Sequence, residues 1–326
     1  MRVLVYGAGV IGALLAHELK RCGQDVTVLA RGAWRETLAE RGMIIHHHLQ
    51  VHITGDRLRM IGELDPQDRY DLIFVAVQGQ QRPDVLPALA ANVSERVVLV
   101  GNDLQAAKTQ ETLLAGDPRK QVAFAFQPTG GYRDGERVIA MHAGIALYVG
   151  ALRGRLDQDF LQAIKTALTG HRCRVIPTPN MEAWLQAHAA IVLPAAYLCY
   201  VLDYDLRRST SRQRAQVVAA IREALDALAA LGVPVPPGTA AWLRGLVRLR
   251  LVRTAAWLVA KTSIGELAAA DHCRTASAEM VHLDAQFDRI LAGYNGTMPA
   301  WRDLRAVALP IMEQATKQKA AMAPES

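Results

Sequence analysis

The chain has 326 residues, 51% of them hydrophobic and 21% charged. That is too long for one compact core and apolar enough to offset chain entropy, so disorder and a disulfide-held miniature are excluded and two domains of about 150 residues each are expected. The 37 basic and 31 acidic residues leave a net charge of +6; they interleave along the chain, which argues against nucleic acid and suits small anionic ligands held by a few placed cations.

The N-terminus runs straight into strand-like MRVLVY with no secretory signal before it, and Cys22, Cys173, Cys199 and Cys273 include no CxxC pair. Together these predict a cytoplasmic protein with reduced, buried thiols. The first third then alternates β-branched runs with helical patterns, as a parallel sheet covered by helices does. Strands are predicted at Arg2 to Tyr6, Asp25 to Leu29, Met43 to Ile53, Leu58 to Ile61, Leu72 to Val77 and Val97 to Val100. Between the first two, Ile11, Leu14, Leu15, Glu18 and Leu19 fall at helical spacing in Val10 to Cys22, and Gly23 ends the helix.

After a strand at Gln121 to Phe126, GGYRDGERVIAMHAGIALYVG predicts a hairpin with Asp134-Gly135 at the turn and Val138 to Met141 opposite Ile145 to Val149. Past Val175 the sequence IPTPN changes the texture. From there to the C-terminus the chain is helical in period, broken at Pro234, Pro236, Pro237 and Gly238 and again from Asn295 to Pro299. The fold expected is an α/β Rossmann-like domain over residues 1–178 and an all-α domain over residues 179–326. Ala189 to Leu202, the longest uncharged apolar run, contains Pro194 and is shorter than the ~20 residues of a bilayer span, so no membrane helix is expected.

Gly7-Ala8-Gly9-Val10-Ile11-Gly12 is a GxGxxG that follows a strand, opens an amphipathic helix and precedes a second strand. This is the context in which the pattern binds a dinucleotide. Gly7 makes the turn, Gly9 lets backbone approach a pyrophosphate, Gly12 lets helix pack on strand, and the helix N-terminus supplies amides and a positive dipole. The second strand closes in VTVLARG, with Arg31 where an acidic residue would select an unphosphorylated ribose. Arg31 suits a 2′-phosphate, so NADP(H) is the expected cofactor.

With this N-terminal stretch, DLIFVAVQGQQ, a strand ending in Asn102, GGYRDG, and a helical half opening at Trp184, the chain resembles the ketopantoate reductase family. The resemblance runs from Met1 to about Pro310 and implies a Rossmann domain followed by a helical domain, with substrate in the cleft between them. It implies NADPH-dependent reduction of a 2-oxo acid to a 2-hydroxy acid. Such chemistry needs a hydride donor, a proton donor at the carbonyl oxygen, and polar groups for the carboxylate.

The family's proton-donating lysine, two residues after the first tryptophan of the helical domain, is here Gln186. A second family lysine is Gln78, and a family asparagine one turn beyond the first lysine is Ala190. Glutamine donates a hydrogen bond but releases no proton at neutral pH, so ketopantoate itself is a poor expected substrate. The resemblance carries over Asn102 to the nicotinamide, Glu279 to substrate or ribose, and Ser263 to a substrate carboxylate. Asn102 also reads as a turn cap, and Glu279 as an ordinary helix carboxylate. His188 falls roughly opposite Gln186 on a helix and reads as buried or partnered; Lys261 reads as a surface lysine.

His46, His48 and His52 would share one strand face, yet no carboxylate or cysteine joins them at metal-ligand spacing, so no metal site is expected. Tryptophans 184, 242, 257 and 301 read as core. Two functions stay open: a reductase of a small 2-oxo acid or related carbonyl or imine, and a catalytically impaired NADP(H)-binding sensor or partner-binding protein. The partner expected is a small anionic carbonyl compound, with a homodimer open and neither nucleic acid nor membrane.

Overall fold

A computed structural model describes residues 1–142, 144–170, 173–235, 254, 257–258, 260–262, 265 and 270–322, and the chain divides into two compact units, Met1–Glu182 and Ala183–Ser326. The first unit is built on an eight-stranded sheet. β1 (Arg2–Tyr6) lies between β2 (Asp25–Leu29) and β6 (Leu72–Val75), both parallel to it; β5 (Arg59–Ile61) extends the β2 side, and β7 (Arg96–Val100) and β8 (Gln121–Phe126) extend the β6 side. These strands read as unbroken apolar runs because helices cover both faces: Val3, Leu4 and Val5 and all of Leu72–Val75 are fully buried.

α1 (Val10–Arg21) follows β1 and buries Ala13 through Leu19 against this sheet. α2 (Gly32–Arg41), α3 (Arg82–Ala91), α4 (Ala106–Gly116) and α5 (Gln158–Ala167) complete the covering. The chain leaves β1 toward β2 on one side, while β6 pairs on the other. The order therefore reverses between β1 and β6, where α/β sheets open a crevice at the carboxyl ends of their strands.

A second, four-stranded sheet holds β4 (His52–Asp56), β3 (Met43–His47), β10 (Arg137–Met141) and β9 (Gly130–Asp134) in that order. Two sequence expectations are corrected here. Met43 to Ile53 is not one strand: residues 48–51 turn back, with Val51 at φ 50°, and β4 pairs antiparallel with β3. No glycine, proline or asparagine marks that turn. The Asp134-Gly135 turn forms, but β10 folds onto β9, with Ile139 opposite Tyr132. Ile145 to Val149 lies instead in β11 (Ile145–Gly150) of the large sheet, antiparallel to β8 and parallel to β12 (Cys173–Pro177).

Among the described residues, the second unit consists of helices. α6 (Met181–Val201) enters it from the first unit; α7 (Ser211–Ala230) begins at a capping box in which Thr210 and Gln213 bond each other's backbone amides. α8 (Asp271–Thr275), α9 (Ser277–Leu291) and α10 (Pro299–Met322) follow, α10 opening at the proline that ends the preceding loop. Tyr197, Phe287 and Trp301 pack ring against ring in the core, and buried Asp284 accepts from Tyr197 Oη at 2.6 Å and from Arg305. α6 has the length and hydropathy of a membrane span, with 61% of that window buried inside the fold. Trp257 departs from the core expectation, being 47% exposed, and Trp242 lies outside the described residues.

Candidate functional site

The sheet brings four of the sequence-predicted segments to one edge. Gly7 follows β1, Arg31 follows β2, Gln78 follows β6 and Asn102 follows β7, and these four strands run parallel. The three glycines there do different work. Gly7 sits at φ +103°, and a Cβ on it would lie 2.6 Å from the Ala76 carbonyl oxygen; one on Gly12 would lie 1.9 Å from the Gly7 oxygen. Both are required by close approach of backbone.

Gly9 has an ordinary φ of −74° and no atom within 4 Å of where its Cβ would stand. Nothing in the protein demands a glycine there, and the space it leaves open lies at the start of α1, whose first amides have no side-chain cap. Ala8 is pinned by Trp34, whose indole N–H donates to its carbonyl at 2.9 Å. Val10, Ile11 and Gly12 then form the first turn of α1. An open face, uncapped amides and the positive helix end together fit a phosphate group.

Arg31 is exposed and begins α2, with Nη2 donating to Tyr6 Oη at 2.8 Å. That bond keeps the guanidinium beside the end of β1. Gln78 is occupied with local structure: it starts a short 3-10 turn, its backbone N–H donates to Gln81 Oε1 and its Oε1 accepts from Gln80 Nε2 at 2.7 Å. A lysine there would keep the backbone bond to Gln81 and lose the acceptor that Gln80 uses.

Asn102 follows Gly101, which has φ +114°. The turn itself is fixed by its neighbour Asp103, which accepts from the Gln105 amide, from Thr109 Oγ1 and from Arg82 Nη1 at 2.6 Å. Arg82 is 2% exposed and also donates to the Val100 carbonyl. This buried ion pair shapes the loop that carries Asn102, and sequence reading missed it: an arginine before proline and an aspartate 21 residues later carry no local signal.

In the helical unit, Gln186 and Ala190 lie one turn apart on α6, and Gln186 Oε1 is buried with no hydrogen-bond partner. His188 stacks on Trp184 with ring centroids 5.3 Å apart, and burial together with nearby His272 pushes its pKa down to about 4. Glu279, on α9, is 7% exposed, with Oε2 3.8 Å from His272 Nε2. Ser263 lies outside the described residues. Lys261 is exposed and donates to the Arg207 carbonyl, which makes it a local tether.

The histidine-rich run does not gather as one strand face. His47 pairs with His52 across β3 and β4 with rings stacked at 4.3 Å, bonds His142 at 2.9 Å, and leaves His46 and His48 6.3 Å apart beside each other. Among the described residues no group of histidine, cysteine, aspartate and glutamate has the arrangement of a metal site.

Residues 3–154 match the family model described as ketopantoate reductase PanE/ApbA. A 2-dehydropantoate 2-reductase of Archaeoglobus fulgidus is 25% identical over 243 residues, covering 69% of this chain and 76% of the relative. One of Pyrococcus horikoshii is 29% identical over 108 residues, 32% of this chain but only 35% of the relative. Among solved structures, a D-mandelate dehydrogenase with NADH and anilino(oxo)acetate superposes with a TM-score of 0.72 at 14% identity, covering 97% of this chain and 99% of the other, a likeness of fold. Residues 3–154 are thus similar to the ketopantoate reductase family, and the solved structures share the fold.

Proposed function

We propose that this protein is an NADPH-dependent reductase of a small anionic 2-oxo acid, or of a related carbonyl or imine, working as a cytoplasmic enzyme. The observation that carries the reading is the Gly7–Gly12 turn: two glycines held by backbone contacts and a third, Gly9, that only a ligand requires. Val10, Ile11 and Gly12 offer amides to a pyrophosphate, and Arg31, steadied by Tyr6, offers a guanidinium to a ribose 2′-phosphate. Asn102 stands at the same sheet edge for the nicotinamide amide. Bound there, NADPH supplies a hydride to the carbonyl carbon.

The family resemblance is what assigns the substrate contacts. Gln186, with its unpartnered buried oxygen, offers a hydrogen bond but no proton, and Glu279 a buried carboxylate. Ser263 completes the proposed set. With Gln78, Gln186 and Ala190 in place of the residues the family resemblance implies, ketopantoate is not the preferred substrate. The same replacements favour a second reading, an NADP(H)-binding sensor or partner-binding protein without turnover. Calorimetric titration with NADPH and NADH tests what both share: NADPH binding at least about tenfold tighter supports the Arg31 assignment, and equal affinities overturn it.

A further inference from the structure

The first unit holds a second cleft, at the far side of its large sheet. In the strand order β8, β7 and β6 separate β11 from β1, so at about 4.8 Å per strand β11 lies roughly 19 Å across the sheet from β1. β11 runs against β8 and β12 runs with β11, so their carboxyl ends point away from the edge that carries Gly7, Arg31 and Asn102. Beyond those ends the chain forms a cleft of about 420 Å³, within the range of small-molecule sites, about 300–1,000 Å³. Its walls are fixed by backbone contacts. The Met181 and Glu182 amides donate to the carbonyls of Ala151 and Leu152, the Thr178 amide donates to that of Val149 at 2.8 Å, and a Cβ on Gly150 would lie 1.9 Å from the Thr178 oxygen. Asp157 caps α5 by accepting from the Phe160 amide at 2.9 Å.

α5 buries Phe160, Ile164 and Ala167 in the core and turns an adjoining face, Gln158, Leu161, Gln162 and Lys165, to the cleft. Leu156 and Leu161, half-buried against the core, join Val149 and Pro177 as an apolar floor. Arg155 and Lys165 also line the cleft. Nearby Arg153 is paired with Glu182 at 2.7 Å, whereas among the described residues neither Arg155 nor Lys165 has an ion pair or a side-chain hydrogen bond. Two unpaired cations beside an apolar floor favour a negative charge joined to apolar carbon.

We infer that this cleft binds a small amphipathic anion: an acyl or aryl body seated on Val149, Leu156 and Leu161, with its anionic head taken by Arg155 and Lys165. The site is separate from the dinucleotide turn, and the inference does not rest on the proposed reductase activity. Arg155 offers a planar fork that suits a carboxylate or phosphate, and Lys165 a point charge. The pair repels a cation of the same body, and an inorganic anion leaves the apolar floor wet.

The test is calorimetric titration of the full chain, with NADP⁺ present, using octanoate and octyl phosphate as probes and inorganic phosphate and octylamine as controls. At least one octyl anion is expected to bind 1:1 with Kd below about 1 mM, inorganic phosphate at least about tenfold more weakly, and octylamine not at all. Arg155→Gln and Lys165→Gln are each expected to weaken the octyl anion at least about threefold, and the double variant at least about tenfold, with melting temperature and NADPH affinity unchanged. Binding of neither octyl anion overturns the inference. So does binding that the double variant leaves within about twofold, which places the anion elsewhere, and so does octylamine or inorganic phosphate bound as tightly as the octyl anion. Failure of NADP⁺ to bind overturns the dinucleotide assignment and leaves this site standing.

Discussion

Substituting Gly9 and Gly12 separately distinguishes a glycine kept for a ligand from one kept for the fold. Gly12→Ala places a methyl 1.9 Å from the Gly7 carbonyl oxygen, a backbone atom that yields only if the turn or α1 moves; the expected cost is about 1–3 kcal/mol, the range of overpacking. Gly9→Val meets no protein atom within 4 Å and keeps an allowed φ. Its stability should stay within about 0.5 kcal/mol of wild type, or rise slightly as the unfolded chain loses freedom. The valine side chain nevertheless fills the space in front of the first amides of α1. Loss of a single charge-assisted hydrogen bond, about 1.5–3 kcal/mol, is a tenfold to hundredfold loss of NADPH affinity. Urea melts and calorimetric titration of the two variants give both quantities. Undiminished NADPH binding by Gly9→Val refutes the assignment of this turn, as does a Gly9→Val variant that unfolds while Gly12→Ala does not.

Arg31→Ala should lose about 1.5–3 kcal/mol of NADPH affinity and leave NADH binding unchanged, measured by the same titration. Arg82→Met leaves the Asp103 carboxylate buried without its partner and should destabilise the first unit by about 3–5 kcal/mol in urea melts, with Arg82→Met/Asp103→Leu recovering part of the loss. His188 is neutral in the fold, with its pKa pushed down to about 4 from an ordinary 6.5. Below pH 6.5 the unfolded chain therefore binds the extra proton, and stability should fall as the pH drops from there through about 4; His188→Gln should flatten that slope in melts at stepped pH. Gln186→Lys alone should restore little ketopantoate reduction, because Gln78 and Ala190 are also changed and groups that act together do not add.

The nucleotide turn is legible in the sequence because its signal is local: strand, glycines at fixed spacing, then helix, all within one βαβ unit. The same holds for the termination of α1 at Gly23 and for the Asp134-Gly135 turn. Features that depend on pairing between distant segments are not legible in this way. Val138 to Met141 and Ile145 to Val149 are adjacent apolar runs that suit a hairpin by period, yet they belong to different sheets, because β10 finds an edge on β3 and β11 one on β8. Residues 48–51 turn without any of the residues that favour turns. The Arg82–Asp103 pair beneath Asn102 and the His272–Glu279 pair join residues from separate elements, and no periodicity announces either. In the sequence Gln78 is a lost cation, and the structure adds what it gains, a cap on the turn after β6.

The most direct test of the proposed activity is steady-state oxidation of NADPH by the wild-type protein across a panel of 2-oxo acids, aldehydes and imines, with ketopantoate included. A reductase of the proposed kind turns over at least one small 2-oxo acid with kcat/KM near or above about 10⁴ M⁻¹s⁻¹, an ordinary enzyme value, and ketopantoate well below it. Tight NADPH binding with no turnover of any panel member would contradict that activity and leave the sensor reading in its place; ketopantoate as the fastest substrate would contradict the role given to Gln78, Gln186 and Ala190.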